Sequence, residues 1–339
     1  MRGAMRRIHY SVIDTSLMQI RILSGADVRA AIDMPVAIEA MRQAFATLSE
    51  GGATVPVRLP LESEHGVTLF MPAHLKDTGV AGAKVVSVNP GNAAVGLPVI
   101  HAVVLAIDPV TGQTTAVMDG TWLTALRTGA VGGLAADLLS RPESSTVALF
   151  GAGVQARTQL QAVRCVREIS EVRVVSTSGS SAATLVAELE GVVAIQVTDP
   201  DEAVRGADIV IAATSSVVPV FDGTSIEPGT HVTGVGSFTT EMREVDTALI
   251  QRARVIVDQR EAIMDEAGDI VGPIRDGDVD ESVMAGEIGE VVLGLVAGRT
   301  SPDEITFFKS VGNAVQDVAV ASRVLQAAER EGLGVLVDL

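Results

Sequence analysis

The stretch Thr146-Val-Ala-Leu-Phe-Gly-Ala-Gly-Val-Gln-Ala-Arg157 constrains the fold more than any other part of the chain. A run of apolar or β-favouring residues leads into Gly151-x-Gly153-x-x-Ala156, and a helical pattern follows. The segment therefore reads as a strand, a tight turn and the start of a helix. Gly151 permits the turn, Gly153 lets the backbone approach a pyrophosphate, and Ala156 lets the helix pack close to the strand. The first-turn N–H groups of that helix, around Val154 and Gln155, have no acceptor within the helix and supply an anion site. A bound dinucleotide is the expectation, against the alternative of a purely structural glycine turn.

Strand and helix alternate after this turn. The candidate strands are Thr146–Phe150, Val172–Ser176, Val192–Val197, Ile209–Ala213, His231–Val235 and Arg254–Val257. Most are separated by segments long enough for crossover helices, which predicts a parallel, doubly wound sheet. The chain before it has another character. Ser24 is placed to cap a short helix over Ala26–Ile32, and Met34-Pro35 opens a longer one that Gly51-Gly52 ends. Strand-like runs follow at Val55–Leu61, Val67–Met71, Ala81–Val88, Pro98–Ile107 and Thr114–Met118, and then a helix over Thr121–Ser140. Glu261–Gly286 reads as an acidic, solvated connection, with helices at Ile288–Ala297 and Asn313–Glu331. The last helix is too long and amphipathic to be a tail, so it is expected to return to the first domain. The fold class is then α/β, a Rossmann-type doubly wound sheet (141–312) inserted in a second, α+β domain (21–140 plus 313–339), behind an N-terminal extension (1–20).

Length and charge narrow the classes of function. A chain of 339 residues exceeds what one core usually serves. The net charge of −17 argues against nucleic acid or an anionic membrane as partner. Mean hydropathy is +0.37, yet apolar runs such as Pro98–Ile107 fall well short of a membrane span, so a soluble protein is expected. The opening residues 1–7 are basic but lead into no apolar core, which speaks against a secretory signal, and Met18 competes with Met1 as the natural start. The single Cys165 excludes an internal disulfide, suits a reducing cytoplasm and reads as a small buried filler on a helix. Five scattered histidines lack ligand spacing, so no metal site is expected.

Three cations stand out. Lys84 is the only charged residue between Asp77 and Asp108 and lies in the strand-like run Ala-Gly-Ala-Lys-Val-Val-Ser-Val. The bland reading is a lysine reaching out from a sheet edge. Arg127 shares a helical face with Val131, Leu134 and Leu138, so a protein carboxylate or a substrate anion has to pair with it. Arg58 sits in an extended, proline-flanked segment where a solvent-facing arginine would be ordinary. Together the three suit a small carboxylate held against a nicotinamide. Hydroxyls and glycines close the later strands: Thr214 and Ser215 after the fourth, Gly236 and Ser237 after the fifth, where ligands of such sheets bind, with helix capping as the competing role. The second strand ends in Ser176-Thr177-Ser178, where an acid would hold the ribose of NAD(H); none is present, which favours NADP(H) over NAD(H).

From Ile22 to about Gly332 the chain resembles the ornithine cyclodeaminase/mu-crystallin family of NAD(P)-dependent enzymes. The resemblance is carried by Val55-Pro-x-Arg58, Phe70-Met-Pro72, Lys84, Asp119-Gly120, Ala125-Leu-Arg-Thr-Gly-Ala130, Gly151-Ala-Gly-Val-Gln-Ala156, Glu266-Ala-Gly268 and Phe308-Lys-Ser-Val-Gly312. It implies a homodimer whose first domain forms the interface and contributes the substrate site, with Arg58, Lys84 and Arg127 binding a carboxylate and Thr128 and the Gly151 turn meeting the cofactor. Members of the family include cyclodeaminases, alanine dehydrogenases and ketimine reductases. Cyclodeaminases resembling this chain carry an aspartate in the loop after the fifth strand and a carboxylate just before the Met-Pro pair. Here these places hold Ser237 and Leu69-Phe70. The expectation is an NAD(P)H-dependent reductase of cyclic ketimine carboxylates, with Lys84 as the residue that polarises or protonates the substrate. The alternatives are ornithine cyclodeaminase or alanine dehydrogenase-type activity on an open-chain amino acid, and an NADPH- and ligand-binding protein without significant turnover.

Overall fold

The computed structural model describes residues 19–76 and 79–339. The basic opening and both candidate starts lie outside the described residues. In chain order the first part comprises β1 (Gln19–Leu23), α1 (Gly25–Ala31), α2 (Met34–Ser49), β2 (Ala53–Thr54), β3 (Leu59–Ser63), β4 (Gly66–Leu75), β5 (Val80–Val88), β6 (Ile100–Ile107), β7 (Thr114–Asp119) and α3 (Gly120–Leu139). The second runs β8 (Thr146–Phe150), α4 (Val154–Val166), β9 (Glu171–Val175), α5 (Gly179–Glu188), β10 (Val193–Gln196), α6 (Pro200–Val204), β11 (Ile209–Ala212), β12 (His231–Gly234), α7 (Thr247–Arg252), β13 (Arg254–Val257), α8 (Arg260–Glu266), α9 (Gly268–Asp276), β14 (Met284–Glu287), α10 (Ile288–Val292) and β15 (Thr306–Lys309). Then come α11 (Ala314–Glu331) and β16 (Val335–Asp338).

Two sheets result. The first, in the order β16-β1-β7-β6-β5-β4-β2 with β3 on β4, is antiparallel except where β1 runs beside β7. The second, β10-β9-β8-β11-β12-β15-β13-β14, is parallel throughout. Its central strands are buried along nearly their whole length, as in a sheet covered on both faces. After β8 the chain builds outward through β9 and β10, then crosses back to β11 on the other side. The crevice of this Rossmann-type sheet therefore opens at the carboxyl ends of β8 and β11. Helix α11 returns across the first sheet, with Val315, Val318 and Val320 in its core. Gly82 on β5 is needed there, because a Cβ would meet Val318 and the Leu105 carbonyl. Among the described residues no helix is long and apolar enough to cross a membrane.

The six strands expected around the glycine turn are present within about a residue at each end, and Ser24 caps α1 through a reciprocal box with Asp27. Other expectations need correction. Glu261–Gly286 is no solvated connection: it holds α8, α9 and β14, with Ile263, Ala267 and Ile270 buried. Those three recur at helical spacing, a stripe hidden by the surrounding acids. Gln19 and Ile20, assigned to the extension, begin β1. The Val55–Leu61 strand splits, because Pro56 has no N–H for a ladder and residues 55–58 leave the sheet. Helix α10 stops at Val292, with Gly294 in the left-handed region at φ 70°. Cys165 is exposed on α4, five residues past buried Leu160 and so turned away from the helix's apolar face.

Behind the carboxyl ends of the second sheet lies a buried ion network. Lys309, the last residue of β15, holds Asp269 at 2.8 Å, and Asp269 accepts from the backbone N–H groups of Glu244 (2.6 Å) and Val245 (3.1 Å). The Glu244 carboxylate in turn accepts from Thr214 N–H (2.6 Å), its hydroxyl (2.8 Å), Gly236 N–H (2.7 Å) and Ser237 N–H (3.1 Å). Burial raises the Glu244 pKa while the Lys309 cation works against the rise. One acid thus ties together the loops after β11 and β12. Lys309→Met conserves most of the volume but strands Asp269, so unfolding should become easier by about 3–5 kcal/mol, read from the denaturant midpoint. A loss within measurement error would contradict the pairing.

Candidate active site

A groove of about 1030 Å³ opens at the switch point. One wall is the β8–α4 turn, another the ends of β9 and β11, and the third comes from the first part of the chain through Ile100, Thr121, Thr124 and Ala125. Gly151 is at φ +104°, and a Cβ there would stand 2.4 Å from the Ala213 carbonyl oxygen. Gly153 is the N-cap of α4 and offers no side-chain cap; the space beside it is open. The first-turn N–H groups of α4 are thus left facing the groove, an anion site by construction. The Thr124 hydroxyl is buried on the groove wall with no hydrogen-bond partner. An open glycine, an uncapped helix start and an orphaned hydroxyl together fit a dinucleotide with its pyrophosphate over α4.

Of the residues anticipated for this role, Gly151, Gly153, Val154, Gln155, Ser176, Thr177, Thr214 and Ser215 line the groove. Thr128, Ser178, Gly236 and Ser237 do not. The Thr128 hydroxyl donates back to Thr124 O at 2.8 Å, and Ser178 caps α5. Ser237 is fully buried, its hydroxyl donating to Met242 O at 2.8 Å inside its own loop. Gly236 is needed for packing, since a Cβ would strike the Thr214 carbonyl. The sequence reading missed Thr121 and Thr124, whose spacing of three on α3 puts both hydroxyls on one face.

The three cations do converge. Lys84 on β5 and Arg127 on α3 are both buried, and both contact one carboxylate, Asp317 of α11. Lys84 Nζ is 2.8 Å from Oδ2, and Arg127 Nε donates to Oδ1 at 3.0 Å while its Nη1 donates to Gln316 at 2.7 Å. The other side of Arg127 packs on Gly312, at φ +85°, where a Cβ would lie 2.8 Å from Nη1. Arg58 donates to the Gly312 carbonyl at 2.9 Å and pairs with Glu266 at 2.7 Å. Asp258 fixes the intervening turn, accepting from Ser310 Oγ (2.7 Å) and from Val311 and Gly312 N–H (both 3.0 Å). Burial, with Arg127 and Arg58 adding repulsion, pulls the Lys84 pKa down to about 8 against the opposing pull of Asp317. Burial, with Asp258 and Asp265 near, lifts Glu266 to about 7 although Arg58 opposes it. Asp258 and Asp317 went unassigned from the sequence, because nothing local marks one acid among 42, and Glu266 entered only in the Glu266-Ala-Gly268 match, without a role.

Elsewhere, His231 is a core residue. Its ring lies 2.9 Å from both the Thr306 and Thr233 hydroxyls, and burial pushes its pKa down to about 3. Among the described residues no group of three or more His, Cys, Asp or Glu is arranged to hold a metal ion.

The model of the ornithine cyclodeaminase/mu-crystallin family matches residues 18–332. The chain belongs to that family. It is 34% identical to a Δ1-pyrroline-2-carboxylate reductase of Bacillus cereus, over 92% of this chain and 98% of that one. Among solved structures it superposes on the Δ1-pyrroline-2-carboxylate reductase of Thermococcus litoralis in complex with NADH and L-proline, with a TM-score of 0.91 and 38% identity over 94% of this chain and 100% of that one. It superposes equally on an archaeal alanine dehydrogenase dimer with bound NAD, TM-score 0.91 and 37% identity, over 95% and 100% of the two chains.

The two glycines of the turn should separate fold from ligand. Gly151→Ala meets backbone and an unfavourable φ, so it should lower the melting temperature, a cost of about 1–3 kcal/mol. Gly153→Ala has room in the free protein and should melt as the parent does, yet weaken NAD(P)H binding followed by fluorescence. Equal binding by Gly153→Ala and the parent would count against a pyrophosphate at this turn.

Proposed function

We propose that this family member is an NAD(P)H-dependent reductase of cyclic ketimine carboxylates, converting Δ1-pyrroline-2-carboxylate or Δ1-piperideine-2-carboxylate to proline or pipecolate. The observation that carries the reading is the charge balance beside the groove. Lys84 and Arg127 share the single carboxylate of Asp317, and Arg58 leans on an acid whose own ionisation is suppressed. Three cations thus meet two acids in direct ion pairs, one of those acids with its ionisation suppressed; such a largely buried arrangement suits an anionic ligand, and a carboxylate matches a guanidinium fork. The cofactor, held by Gly151, Gly153, Val154, Gln155, Thr214 and Ser215, supplies hydride. The chain's own work is to hold the carboxylate so that the C=N carbon faces that donor, and to keep water out.

The absence of an acid at Ser237 supports this reading over a cyclodeaminase, as does Leu69-Phe70 before the Met-Pro pair. The Ser237 hydroxyl is engaged with Met242 O, so it is not free to manage a second amine. Likeness to an alanine dehydrogenase keeps one rival in view, reductive amination of an open-chain keto acid. For the cofactor we favour NADP(H), since the end of β9 brings Ser176 and Thr177 to the groove and no acid that would oppose a 2′-phosphate; relatives have been solved with NADH and with NAD. We assign the first sheet with α11 (21–140 plus 313–339) to substrate binding and dimerisation and 141–312 to the cofactor. Exposed Val57, Leu59, Leu61 and Phe70 on and beside β3 and β4 suit a second copy of the chain.

Following NADH and NADPH absorbance separately with five- and six-membered cyclic imino acids tests this directly. Turnover of at least one imine is expected, faster than pyruvate with ammonia. Ammonia release from ornithine with catalytic NAD⁺, or cofactor binding without oxidation by any imine, would overturn it. Arg127→Ala should lower kcat/KM tenfold or more, since a charge-assisted hydrogen bond contributes about 1.5–3 kcal/mol.

A further inference from the structure

We propose that Glu266 is the proton donor to the substrate nitrogen, and that it is loaded when the substrate's carboxylate replaces it on Arg58. The inference rests on the reductase reading above and adds the acid which that reading leaves unassigned. Three observations point to it.

The first is position. Glu266 ends α8 and reaches Arg58 at 2.7 Å in a pocket that also presents Met71, Gly312 and Asn313. Arg58 is one of the three cations assigned to the substrate carboxylate, so Glu266 occupies, in the free protein, the place of the ligand's own anion. The second is access. A donor has to touch the substrate and recover its proton from water. Lys84, the earlier candidate, is sealed at 1% exposure against Asp317, and giving up its proton would leave a neutral amine beside a buried carboxylate. The Glu266 side chain is 20% exposed at the mouth of the same cluster. The third is surroundings. Glu266 faces Arg58 from the β2–β3 connection, Asp258 from the end of β13 and Asp265 of its own helix, with Glu261 also lining the pocket. Behind Gly312 stand Arg127, Lys84 and Asp317. Burial, with the carboxylates of Asp258 and Asp265 against the one cation of Arg58, already holds its pKa up at about 7. Removing that cation to a substrate carboxylate, and adding the substrate's own negative charge, pushes the balance further toward the protonated acid.

The reduction then balances. Hydride passes from a reduced nicotinamide to the C=N carbon, the π pair of the C=N bond moves to nitrogen, and nitrogen takes the proton from the Glu266 carboxyl. A secondary amine, an oxidised nicotinamide and a Glu266 carboxylate remain, and solvent reprotonates the acid. Substrate binding and acid loading are one event, so the donor is charged only when something is present to receive the proton.

Calorimetric titration with pyrrole-2-carboxylate, a planar carboxylate that cannot be reduced, tests the loading in buffers of different ionisation enthalpy at pH 7. Glu266 is about half ionised there while Lys84 is mostly protonated already, so the wild type should take up about half a proton per ligand bound. Glu266→Gln should bind at least as tightly and take up about a tenth or less. In turnover, Glu266→Gln should lose about 100-fold or more in kcat with KM unchanged or lower, and Glu266→Asp should recover part of it. Equal proton uptake by wild type and Glu266→Gln, or an unchanged kcat, would overturn the proposal while leaving the reductase reading intact. Failure of the wild type to bind pyrrole-2-carboxylate at all would instead remove the carboxylate site on which both stand.

Discussion

One carboxylate shared by two buried cations organises this molecule. Asp317 lies on the last long helix, Lys84 on a central strand of the first sheet and Arg127 on the helix that leads to the second. Breaking such a cluster by removing its acid would strand two charges, so the return of α11 across the first sheet is enforced by electrostatics as well as by its apolar face. Within it one carboxylate answers two cations. In the proposed function, a structural requirement, closing the fold on a buried ion cluster, also supplies the site for an anion.

The second sheet repeats the device with opposite emphasis. Lys309, Asp269 and Glu244 form a chain of buried charge whose last member gathers donors from Thr214, Gly236 and Ser237. That chain fixes the loops at the carboxyl ends of β11 and β12, and the groove owes its shape to them. The glycine turn after β8 supplies the third part, an uncapped helix start aimed into the same space. Between groove and cation cluster the wall is Thr121, Thr124 and Ala125 of α3, the helix that also carries Arg127. A single helix thus borders the groove and carries one cation of the cluster.

Much of this was legible from residues alone, and the limits have physical reasons. Short apolar or β-favouring runs bounded by turn residues marked the central strands, which are buried on both faces, and the glycine turn suggested its own chemistry. Lys84 and Arg127 were conspicuous because a charge in an apolar run is costly unless paired. Their partner was not, since Asp317 is one acid on an amphipathic helix and becomes distinctive only when the fold brings it to Arg127, 190 residues away. Asp258, one acid after a short strand, was hidden in the same way, while Glu266 stood out only within the Glu266-Ala-Gly268 match, in a segment so acidic that it read as solvated. The short strands β1, β14, β15 and β16 were missed although strands of the same length around the glycine turn were found. Ser237 was noticed for the acid it replaces, and its structure gives it a loop-closing role.

The central claim is that Arg58, Lys84 and Arg127 form the substrate carboxylate's site. A crystal structure of the protein with NADH and a non-reducible cyclic carboxylate measures it most directly. The account predicts the carboxylate within hydrogen-bond distance of Arg58 and Arg127, the ring beside the nicotinamide at the Thr124 wall, and Glu266 released from Arg58 toward the ring nitrogen. A carboxylate bound elsewhere, with the Arg58–Glu266 and Lys84–Asp317 pairs unchanged, would contradict it.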